Sequence, residues 1–94
     1  MKLEILEKAK ETILKIEPSA EIILYGSRTC NLLVLVDGEV DDNRTDRVSH
    51  QLHEIKENTG EILCGIVHSR SMWDDPHYQA MPLFKNIRLE GITI

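Results

Sequence analysis

The sequence has no run of apolar residues approaching the roughly 20 that a membrane-spanning helix needs. Its opening Met1-Lys2-Leu3-Glu4 lacks the apolar stretch of a secretory signal. Both shortages lead us to expect a cytoplasmic protein. Cysteine is scarce: Cys30 and Cys64 lie in or beside apolar runs without CxxC or Cys/His ligand spacing, which argues against a zinc framework or a disulfide scaffold. Two reduced, buried thiols are the expectation. Positive charge is short as well. With 16 acidic against 11 basic residues and a formal net charge of −5, the chain does not suit extended nucleic-acid binding by phosphate neutralisation, although a local basic patch for a nucleotide stays open. Repeats, linkers and low-complexity segments are missing too.

What is present fits one domain over residues 1–94, since 94 residues at 41% apolar content lie within the usual domain size and leave no room for a second core. So short a domain buries a modest share of its surface, which makes a homo-oligomer or another partner a reasonable expectation.

Apolar Leu3, Leu6, Ala9, Ile13 and Ile16 recur at spacings of three and four and predict an amphipathic helix. Pro18 breaks it. Glu21–Tyr25 then predicts a short buried strand stopping at Gly26, and Leu32–Val36, apolar throughout, a central strand covered on both faces. Asp37-Gly38 is a turn pair. Asp41-Asp42-Asn43 offers N-caps for a helix burying Val48, Leu52 and Ile55, with Gly60 as its C-terminal stop. Glu61–Val67 predicts a third strand.

Strand, helix, strand implies a parallel pair with a right-handed crossover, while the few residues joining the first two strands imply an antiparallel hairpin. Asp75-Pro76 resembles a cap followed by proline in the first turn, and Pro82–Glu90 predicts a last helix before Ile92-Thr93-Ile94. The expected fold class is α/β (α+β-like), a small mixed sheet of about three strands flanked by helices.

In that topology the end of the first strand and the starts of the other two share an edge, so residues 26–31 and Glu61 converge. Gly26-Ser27 after a buried strand can supply close backbone approach, N–H donors and a hydroxyl, and Arg28 adds a fork for phosphate oxygens. A plain hairpin turn accounts for the same residues when they are taken alone.

Glu21-Ile-Ile-Leu-Tyr-Gly-Ser-Arg28, Asn31-Leu-Leu-Val-Leu-Val-Asp-Gly38 and Asn86-Ile-Arg-Leu-Glu-Gly-Ile92 together resemble the minimal nucleotidyltransferases of the DNA polymerase β-like superfamily, over nearly the whole chain. The resemblance implies the nucleotidyltransferase fold. It also implies an NTP held by Gly26, Ser27 and Arg28, and Mg2+ on an Asp-x-Asp pair entering the second strand, for transfer of a nucleoside monophosphate to an acceptor hydroxyl.

The chain departs from the family at the metal. The longer arm ending in Asp-x-Asp is missing, and Thr29 and Asn31 stand at the places of the two aspartates, with no carboxylate to hold Mg2+. Glu61 is the candidate for the third acidic position. The resemblance therefore implies two functions: a transferase, inactive if the chain keeps no such arm, or a non-catalytic module such as the antitoxin-type partner of a helical HEPN protein. An unrelated small α/β domain is a third reading, since fold does not imply activity.

Other residues carry less. Asp37-Gly38-Glu39 has metal-binding spacing but leaves the second strand at the far edge from Gly26. Asp41-Asp42 is sufficiently explained by capping. His50 and His53 are expected exposed and His68 on the surface, while Met72, Trp73, Tyr78, Met81 and Phe84 suggest core packing or a partner surface.

Overall fold

The computed structural model describes residues 3–26 and 30–94. The first helix, α1, spans Leu3–Ile16 and the first strand, β1, Glu21–Tyr25. β2 covers Cys30–Val36, α2 Asp42–Thr59 and β3 Leu63–Ser69. Three short helices follow, α3 at Arg70–Asp74, α4 at Pro76–Gln79 and α5 at Pro82–Glu90, and the chain closes with β4 at Ile92–Thr93. The sheet order is β3-β2-β1-β4. β1 pairs antiparallel with β2 and β4, and β2 pairs parallel with β3, so the sheet is mixed and the class is α/β.

Successive strand residues face opposite sides, and the alternation sorts the core into two layers. Ile22, Leu32, Val34 and Val36 pack with Ile5, Ala9 and Ile13 of α1 and Val48, Leu52 and Ile55 of α2. Ile23, Leu33 and Leu35 turn the other way, onto Phe84 and Ile87 of α5. From Leu32 to Val36 β2 is apolar because both its faces are covered there, with Leu32, Leu33 and Val34 fully buried.

Local chemistry sets the boundaries. The Asp41 carboxylate accepts from the Arg44 backbone N–H at 2.8 Å to cap α2, and Gly60 closes it in the left-handed region (φ 76°). Asp75 caps α4, with Pro76 in its first turn.

The differences from expectation fall at the ends. The face of α1 centres on Ile5, Ala9 and Ile13, with Leu6 and Ile16 at its flank. β2 starts at Cys30, and β3 runs from Leu63 to Ser69. Ser69 caps an unexpected α3 by accepting from the Met72 N–H. β4 is a fourth strand, too short for any periodicity and defined only by its partner β1. Among the described residues no helix is long and apolar enough to cross a membrane.

Candidate functional site

The expected edge forms. Tyr25 is the partner of Asn31 across β1 and β2, and Asn31 of Cys64 across β2 and β3. These three residues make a polar row on the sheet face that further in carries Ile23, Leu33 and Ile66. Neighbouring strands lie about 4.8 Å apart, so the row is a contiguous strip of phenol, amide and thiol. Burial raises the Tyr25 phenol above its ordinary value, with a smaller push from Cys64. The strip therefore favours a neutral, hydrogen-bonding phenol.

Gly26 follows with φ of 88°. This is the left-handed region, where a side chain is strained and glycine is not, so the backbone at this position depends on glycine. Ser27 and Arg28, expected with Gly26 to hold phosphate, and Thr29 lie outside the described residues. Beside Gly26 a hollow of about 280 Å3 is lined by Leu24, Tyr25, Glu90 and Ile92. Its charged lining residue, Glu90, suits a donor or cation better than a phosphate.

Glu61 sits in the link between Gly60 and β3, and its backbone N–H donates to the Thr59 hydroxyl at 3.2 Å. In the sheet it is Cys64, three residues further on, that stands next to Asn31. The sequence did not single out Cys64 because the parallel register of β2 and β3 is set by packing of the crossover helix. Nor did it give Tyr25 a role of its own, although period-two alternation from Ile23 would have placed it on this face.

Cys64 is exposed, which corrects the expectation of a buried thiol. It sits near the start of an edge strand, and the apolar side chains gathered on that face lie further along. Among the described residues no group of three His, Cys, Asp or Glu side chains could hold a metal ion. A neutral amide and a thiol at the register positions, with Glu61 off the row, do not fit a two-magnesium centre, whose hard cations take carboxylate oxygens.

The opposite edge is built for structure. Arg44 grips the Glu17 carboxylate with two bonds, at 2.9 and 2.7 Å, and donates also to the Asp37 and Glu39 carbonyls. That hydrogen bond, opposed by burial, holds the Glu17 carboxyl below its usual value. Arg70 ties Asp37, Glu21 and the Ser19 carbonyl together. Asp37 is thus a turn anchor at the far edge from Gly26.

His50 and His53 are exposed and contact Glu54 and Glu57 one turn on. His68 departs from expectation. It is half-buried, edge-on to Phe84 at 5.1 Å, and burial lowers its pKa. Phe84 is buried and gathers the partly buried Trp73 and Tyr78 against it, while Met81 is exposed.

Comparison with family models, with curated proteins and with solved structures returns no match to this chain.

Proposed function

We propose that the chain is a nucleotidyltransferase-like domain that works as a binding module and does not transfer nucleotides. The observation that carries this reading is the strip Tyr25, Asn31, Cys64. The topology of an antiparallel hairpin followed by a parallel crossover brings these positions together, and the residues there are neutral donors and acceptors with no carboxylate among them. Phosphoryl transfer of the family's kind needs carboxylates to hold the cations that offset charge on the phosphates.

The resemblance supports a residual nucleotide contact through Gly26, Ser27 and Arg28. The resemblance supplies a helical HEPN-type protein as the macromolecular partner, in a cytoplasmic setting. The test is incubation with Mg2+ and NTPs labelled at the α-phosphate, alone and with such a partner. No label is expected on either protein. Labelling that Ser27→Ala abolishes would make the chain a transferase and end this reading.

A further inference from the structure

β3 is the outermost strand on its side of the sheet, seven residues long and paired to β2 along its whole length without a bulge. Alternate residues of such a strand turn their N–H and C=O groups outward, a ready template for another strand. Two usual guards are missing, since Leu63-Cys64-Gly65-Ile66-Val67-His68-Ser69 contains neither proline nor lysine.

A groove of about 360 Å3 runs beside this edge, with Ser49, His53 and Lys56 on the α2 side and Ile62, Cys64 and Gly65 on the other. Gly65 has no side chain, and Leu52 fills the place a Cβ would take, 2.4 Å from it. In a chain of net charge −5, the described lining of this groove contains no acid. Lys56 forms no ion pair among the described residues, and His53 touches Glu57 at 3.4 Å.

We infer that the outer edge of β3 receives an extended peptide segment bearing an acidic residue, added as a further strand with its carboxylate toward Lys56. Main-chain bonds to the edge supply affinity, and the groove supplies selectivity. The inference rests on the binding-module reading and locates its contact surface.

The test selects binders from a displayed library of random peptides on the intact chain, then follows titration of the selected peptide by amide NMR. Enriched peptides are expected to share Asp or Glu and to shift amides in residues 63–69. Lys56→Glu is expected to weaken binding roughly fivefold or more, with recovery when the peptide acid is changed to lysine. Cys64→Glu, at an exposed position in the groove lining, is expected to repel the acidic peptide and weaken binding with the circular dichroism unchanged.

Absence of enrichment, peptides without an acidic preference, shifts confined to other elements, or a dimer whose β3 amides are protected without peptide would each overturn the inference. NTP labelling would remove the binding-module reading itself, whereas failed peptide selection without labelling removes only this surface.

Discussion

Asn31 is the register partner of Cys64 across β2 and β3, an amide beside a thiol. The sequence sets an amide where the resemblance requires a carboxylate, and that chemistry is independent of the fold. Which residue stands beside it is a matter of strand register, and the answer is Cys64, three positions from the Glu61 expected there. A substitution follows from that adjacency. Asn31→Asp together with Cys64→Asp places two carboxylates on adjacent strands about 4.8 Å apart, close enough to share one divalent cation. The double variant is expected to gain a stabilising thermal shift with Mn2+ that the parent chain lacks. A variant indifferent to the metal would show that the strip is not open enough to be a cation site.

Among the elements, those bounded by local chemistry were legible in the sequence. α2 begins and ends where Asp41 and Gly60 indicate, because a cap and a left-handed stop act within one turn. α5 likewise spans the expected Pro82–Glu90, but what Gly91 does behind it was not legible. Gly91 has φ of −68°, so its role is not the left-handed stop its position suggests. An added Cβ would lie 2.4 Å from the Ile87 carbonyl oxygen and 2.6 Å from Ile23 Cγ2, and β4 could no longer approach β1. Gly91→Ala is therefore expected to destabilise the fold by about 1–3 kcal/mol, measured by urea denaturation. β4 eluded sequence reasoning for the related reason that a two-residue strand has no period, only a partner.

For the molecule as a whole, two buried or half-buried groups predict the response to acid. Burial depresses the His68 pKa below the ordinary 6.5, so the unfolded chain binds that proton first. The stability His68 contributes is complete above pH 6.5 and is lost as pH falls through its folded value. Arg44 holds Glu17 below its ordinary 4.5, and its contribution is likewise complete above pH 4.5 and lost below. The melting temperature is expected to decline in two stages on acidification. His68→Gln should remove the upper stage and Glu17→Gln the lower; a melting temperature flat from pH 7 down to pH 2 would contradict both assignments. The sequence by itself determined α1, α2 and α5, the first three strands, the mixed pairing and the neutral chemistry at Asn31, because periodicity, caps and connection lengths act over a few residues. Only the tertiary structure decided that Cys64 lies exposed beside Asn31, that His68 packs on Phe84, that β4 joins β1 and that β3 is the outermost strand on its side of the described sheet. Each of these depends on strand register and layer packing between segments distant in the chain.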